Sequence, residues 1–123
     1  MLIERIDHVQ LAMPVGAEER AREFYQGVLG IPEVPKPAHM ALRGGCWFEC
    51  GELKVHLGAD PEFRAARKAH PAFLVAGLKS LADRLRGLGY AVRADEPVAG
   101  RARIHVDDPF GNRIEFVQAG ASE

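Results

Sequence analysis

Ile6-Asp7-His8-Val9-Gln10-Leu11-Ala12-Met13 is a strand-like run that opens on a histidine, and the chain writes a second such run at His70-Pro71-Ala72-Phe73-Leu74-Val75. Outward from each, a helical pattern follows and stops on a leucine-glycine pair, at Leu29-Gly30-Ile31 and at Leu88-Gly89-Tyr90. Each half then closes on a polar turn and a strand with one residue of metal-ligand type, Leu53-Lys54-Val55-His56-Leu57 and Asn112-Arg113-Ile114-Glu115-Phe116. Gly30 and Gly89 are 59 positions apart, as are His56 and Glu115. His8 and His70 are 62 apart, the three extra residues falling between the first strand and the end of the first helix. A duplication of about half the chain, with a ligand type at matching places, implies one site built from two modules.

Composition sets the bounds. A chain of 123 residues is large enough for a core of its own and is expected to form one domain, residues 1–123. A net charge of −1 gives no electrostatic reason to expect nucleic acid or a membrane surface as partner. No apolar run approaches the ~20 residues that cross a bilayer. The opening Met1-Leu2-Ile3-Glu4-Arg5 runs into the first strand without a signal-peptide pattern, so a cytoplasmic protein is expected. Cys46 and Cys50 have no second pair and read as thiols on a half-buried strand.

The order strand, helix, three strands is expected twice. In the first half the strand covers about 3–13 and the helix about 17–29, with Ala21, Phe24, Val28 and Leu29 as its apolar stripe. Gly30 stops that helix and Pro32 prevents a restart. Residues 32–39, with three prolines, form a loop, and strands follow at about 40–43, 46–50 and 53–57. In the second half the strand covers about 72–75, the helix 78–88 on Leu78, Leu81, Leu85 and Leu88, and the strands about 90–93, 103–106 and 113–118. Asp108-Pro109-Phe110-Gly111-Asn112 is a strong turn. Module 1 is placed at about 1–59, module 2 at about 69–120, and the linker at about 60–68, where Asp60-Pro61 can start a short helix.

Period-two alternation then sorts the faces. Val9, Leu11, Phe73, Val75, Val55, Leu57, Ile114 and Phe116 are the core candidates. His8, Gln10, His70, His56 and Glu115 fall on the opposite face, which does not meet the helices. Imidazoles and a carboxylate together suit a divalent ion such as Zn²⁺, Mn²⁺, Fe²⁺, Co²⁺ or Ni²⁺.

The pattern resembles the vicinal oxygen chelate superfamily, the glyoxalase/bleomycin-resistance/extradiol-dioxygenase proteins. The elements that carry the resemblance are Ile6-Asp7-His8-Val9-Gln10-Leu11-Ala12, Phe24-Tyr25-Gln26-Gly27-Val28-Leu29-Gly30, His70-Pro71-Ala72-Phe73-Leu74-Val75 and Asp108-Pro109-Phe110-Gly111-Asn112-Arg113-Ile114-Glu115-Phe116. It implies an α+β fold of two βαβββ modules forming a cupped mixed sheet with helices on the outer face. It also implies a homodimer, and His8, His56, His70 and Glu115 as ligands of a divalent metal that stabilises negative charge on two neighbouring substrate oxygens.

Within that set His56 is open to three readings: fourth ligand, general base or acid beside a His8–His70–Glu115 site, or pocket wall. Glu115 and His56 are the candidate catalytic residues. Gln10, Trp47 and Arg113 are candidates for the substrate pocket. On alternation one of Trp47 and Phe48 is core and the other is free to line the cavity. Arg43, Arg103 and Arg113 can each meet an anionic substrate or stand as solvated strand-edge charges. His39 and His105 have no matched partner in the other half and read as surface or rim residues, and Arg64, Arg67 and Lys68 as a solvated face.

The expected function is a divalent-metal-dependent enzyme acting on a small molecule with vicinal oxygens, by lyase or isomerase chemistry through an enolate or enediolate. The common glyoxalase pattern has glutamate where His56 stands. The alternatives are a metal-free small-molecule binding protein of bleomycin-resistance type, an extradiol-type dioxygenase, and a regulatory domain with a vestigial site.

Overall fold

The computed structural model describes residues 1–120. The chain divides into two compact units, Met1–Ala65 and Ala66–Glu123. The order of elements in the first is β1 (Val9–Met13), α1 (Glu18–Ala21) continued by a π-helical segment (Arg22–Val28), β2 (Glu33–Val34), a 3-10 helix (Ala38–Arg43), β3 (Cys46–Cys50) and β4 (Leu53–Ala59). The second has β5 (Ala72–Val75), α2 (Leu78–Gly87), β6 (Arg93–Val98), β7 (Arg101–Asp107) and β8 (Arg113–Gln118). Each unit closes its own four-stranded mixed sheet, in the orders β1-β4-β3-β2 and β5-β8-β7-β6. In each, the first strand runs parallel to the last, and the remaining pairings are antiparallel. This is a glyoxalase-like α+β fold in two modules.

The duplication is carried into the register. Gln10, two residues after His8, pairs with His56, and His56 pairs on its other side with Trp47. Ala72, two residues after His70, pairs with Glu115, and Glu115 pairs on its other side with His105. Met13, Phe24, Tyr25, Phe48, Val55 and Leu57 form the core of the first unit. Leu78, Ala82, Leu85, Ile104, Val106, Ile114 and Phe116 form that of the second, where α2 packs on β7 and β8.

Several elements depart from the sequence reading. The first strand begins at Val9, and residues 1–8 lie outside any strand, with Leu2, Ile3 and Ile6 exposed. Residues 40–43 belong to the 3-10 helix instead of a strand; their alternation is misleading because Leu42 is fully exposed, and Glu33–Val34 supplies the edge strand. The first helix widens, so that the Leu29 amide bonds back to Phe24. Phe24 and Tyr25 both reach the core, while Val28 and Leu29 stay half-buried. In α2 Ala82 is buried, and Leu88, expected in the helix, lies just past its end at Gly87 and is exposed. β6 begins at Arg93 and every residue of it is exposed. The linker forms no helix; the Asp60 carboxylate accepts the Glu62 N–H in a turn (2.8 Å).

A buried polar knot positions the second unit's closing strand. Asp108 Oδ1 accepts the N–H groups of Phe110 and Asn112, and Asn112 Nδ2 donates to Asp108 Oδ2 (3.0 Å). Asn112 Oδ1 in turn accepts the Ala66 N–H, the Arg113 N–H donates to the Ala66 carbonyl, and the Glu115 N–H donates to the Pro71 carbonyl. The turn motif thus sets the segment bearing His70 against β8. No described helix is long and apolar enough to cross a membrane.

Candidate functional site

The candidate residues stand as two clusters, one on each unit. On the first, three rings stack. His56 lies face to face with Trp47 (centroids 4.1 Å apart, planes 4° apart) and on its other side faces His8 (4.4 Å, 21°). Register explains the first contact, since Trp47 and His56 are direct cross-strand partners, and such pairs are where side chains of a sheet meet. Phe48, one position along, is fully buried, which settles that Phe48 is the core residue and leaves Trp47 on the face of His56.

One ring nitrogen of each histidine in this cluster faces a carboxylate. His56 is buried, and its Nε2 donates to Glu49 Oε2 (2.8 Å). His8 Nδ1 donates to Asp7 Oδ2 (2.9 Å). That hydrogen bond, with the Lys54 ammonium nearby, holds the Asp7 carboxyl below its ordinary value. A carboxylate can only accept, so each bond fixes which nitrogen carries hydrogen: neutral His8 keeps its lone pair on Nε2, neutral His56 on Nδ1. Gln10 lines a cavity of about 300 Å³ with Leu11, Ala12, Gly58, Ala59 and Asp60. Its amide lies over Gly58, where a Cβ would meet Nε2 at 2.6 Å.

On the second unit Glu115 is the hub. His70 Nε2 lies 3.0 Å from Glu115 Oε1, and Arg103 Nη1 lies 3.5 Å from Oε2. His105 Nε2 is 3.7 Å from Oε1, and its ring tilts against that of His70 (5.6 Å, 44°). His105 is buried instead of lying on the surface or rim, and burial, the largest influence, holds its imidazole below its ordinary value. Asp95 pairs with Arg103 (3.2 Å); its carboxyl is lowered first by the Glu96 N–H and next by that guanidinium. Arg113 shares a face of β8 with Glu115 at half burial, and its positive charge is felt at both His105 and Asp95.

His70 Nδ1 donates to the Lys68 carbonyl (2.7 Å), so neutral His70 turns a lone pair toward Glu115. Two acceptors 3.0 Å apart must share a cation, either a proton or a metal. The backbone carbonyl behind His70 and the carboxylate behind His8 are partners of the kind that orient a histidine ring toward a ligand. These residues therefore fit a divalent ion in donor chemistry. Among the described residues no three His, Cys, Asp or Glu side chains gather into one metal-holding group.

His105, Glu49 and Asp95 escaped the sequence reading. One signal was available for His105: counting outward from Phe110 in the turn lands on Asp107 and Arg113, then Val106 and Ile114, then His105 and Glu115.

Comparison with known proteins agrees with this architecture. The family model described as Glyoxalase/Bleomycin resistance protein/Dioxygenase superfamily matches residues 5–116. A solved protein assigned to the glyoxalase family, from Bacillus anthracis, is 46% identical with a TM-score of 0.92, over 96% of this chain and 97% of that one. A lactoylglutathione lyase from Agrobacterium tumefaciens is 20% identical (TM-score 0.71; 97% and 96% covered). TnmS3, an antibiotic binding protein from Streptomyces sp. CB03234, is 19% identical (TM-score 0.74; 98% and 99% covered). These last two likenesses are of fold alone. No curated protein sequence matches the chain at significance.

Proposed function

The chain belongs to the glyoxalase/bleomycin resistance protein/dioxygenase superfamily, and from that premise we propose that it is a divalent-metal-dependent enzyme acting on a small molecule with vicinal oxygens, by lyase or isomerase chemistry. The observation that carries the reading is the approach of His70 Nε2 to Glu115 Oε1, 3.0 Å apart, with His70 Nδ1 turned to the Lys68 carbonyl. His8, His70 and Glu115 are the proposed ligands. When bound, a divalent ion would supply Lewis-acid stabilisation of negative charge on adjacent substrate oxygens.

The chain's own residues supply the rest. Glu115, with one oxygen toward His70 and the other toward Arg103, is the proposed proton-holding carboxylate as well as a ligand. His56 is proposed as the second proton-transfer group and not as the fourth ligand. Glu49 on its Nε2 orients the ring and leaves Nδ1 as the nitrogen with the lone pair, as a carboxylate behind a catalytic imidazole does. Gln10, Trp47 and Arg113 are the proposed substrate contacts. A homodimer and a cytoplasmic location complete the proposal, to be checked by solution mass and fractionation.

The test is metal content by plasma mass spectrometry on protein purified without tags or chelators, beside His8→Ala, His70→Ala and Glu115→Ala. About one divalent ion per chain, lost in each variant, is the expected result. No metal, and no uptake of zinc, nickel, manganese, cobalt or iron on titration, overturns it in favour of a metal-free small-molecule binding protein. His56→Ala separates the two roles of that residue: the metal stays and turnover falls if it is the base, whereas affinity falls if it is a ligand.

A further inference from the structure

From one position on β7, Arg103 reaches both β6 and the hub carboxylate of β8. Its Nε donates to the Glu96 carbonyl (2.8 Å), Nη2 meets Asp95 Oδ2 (3.2 Å), and Nη1 meets Glu115 Oε2 (3.5 Å) and donates to His105 Nε2 (3.4 Å). The pairing of β6 with β7 slips between Asp95 and Val98, at Pro97, which has no N–H to give the ladder. The Glu96 carbonyl, beside that slip, is the one Arg103 Nε takes up. Every arm of the guanidinium thus already has an acceptor, and an incoming substrate anion would have to displace one.

We propose that Arg103 is a positioning residue: by holding Glu115 through Oε2 it presents Oε1, as a single-oxygen donor, to the point that His70 Nε2 also faces. The inference rests on the metal-site reading above. The Arg103 and Glu115 side chains are 20% and 13% exposed, so the ion pair is largely shielded from water. Lysine carries the charge but cannot fork to three acceptors in one plane, so it does not replace arginine here. His105, donating nothing through Nε2 while that nitrogen accepts from Arg103, backs the same arrangement.

The test compares wild type with Arg103→Gln and Arg103→Lys. Arg93→Gln is the control, because it cuts a different ion pair between β6 and β7, Arg93 with Asp107. Amide spectra first establish that each variant folds, the lysine variant standing in if the glutamine variant does not. In metal-free protein, the ¹⁵N signals of the His70 ring are expected to move in both Arg103 variants and to stay in Arg93→Gln. In titrations with Ni²⁺ alone, affinity is expected to fall roughly 10–100-fold in both Arg103 variants, with stoichiometry unchanged. Unmoved His70 signals with wild-type nickel affinity overturn the proposal, and so does full rescue by lysine. If wild-type protein takes up no nickel, the metal-site reading fails, and the His70 signals alone decide whether Arg103 positions Glu115.

Discussion

Cys46 and Cys50 lie on one strand and differ completely in chemistry. Burial pushes the Cys46 thiol up to about 11, with the Glu33 carboxylate adding to the effect, while Cys50 is exposed. A rise of that size from 9.0 leaves about 100-fold less thiolate at neutral pH, and thiolate is the reactive form. Alkylation at pH 7.5 is expected to show one fast thiol, lost in Cys50→Ser, with Cys46 reacting only on denaturation; a fast second thiol would refute this. At the same scale, the candidates His8, His70, His56 and Glu115 were picked out because they stand at repeated places on the face that alternation leaves opposite the core. The Arg103–Asp95–His105 group was not, because the sequence leaves Asp95 outside the expected strands and reads Arg103 and His105 singly, as an edge charge or anion contact and as a surface or rim residue. Only the register of β6 and β8 on either side of β7 makes them neighbours.

Strands β3 and β4 meet their geometry through one glycine. Gly45 has φ +86°, and a Cβ there would stand 2.3 Å from the Leu57 carbonyl oxygen, a backbone atom that β4 holds in place. Gly45→Ala is expected to cost at least about 1–3 kcal/mol in urea denaturation, from strain alone. The Asp108–Asn112 knot is the counterpart before β8. Asn112→Ala leaves the Ala66 N–H and Asp108 Oδ2 without their buried partner, and a loss on the order of 2–4 kcal/mol is expected by the same measurement. A loss below the range at either position would show that the backbone relaxes freely there. α2 and the closing strands were readable from periodicity. The π-helical widening and the 3-10 helix were not, since both depend on how Phe24, Tyr25 and the Gly44-Gly45 bend pack, which a one-dimensional pattern does not encode.

Across the whole molecule, the duplicated sequence becomes two sheets whose pairings each close within one unit. The boundary between the units falls at Ala65–Ala66, and the Ala66 carbonyl accepts the Arg113 N–H at the start of β8. Inserting Gly-Ser after Glu62 is therefore expected to leave amide-exchange protection of β4 and β8 intact, since lengthening a loop by a few residues costs only about 0.6 kcal/mol or less. Loss of protection in either strand would show that the spacing of residues 60–65 is structural.

Trp47 is the sole tryptophan, and it lies flat on His56, which lies on His8. The protein therefore carries an optical reporter fused to one of its own candidate clusters. All its indole emission arises one ring away from a proposed proton-transfer group and two from a proposed ligand. Events at that cluster can be followed with unlabelled protein by intensity and wavelength alone, and His56→Ala gives the reference spectrum of the unstacked indole.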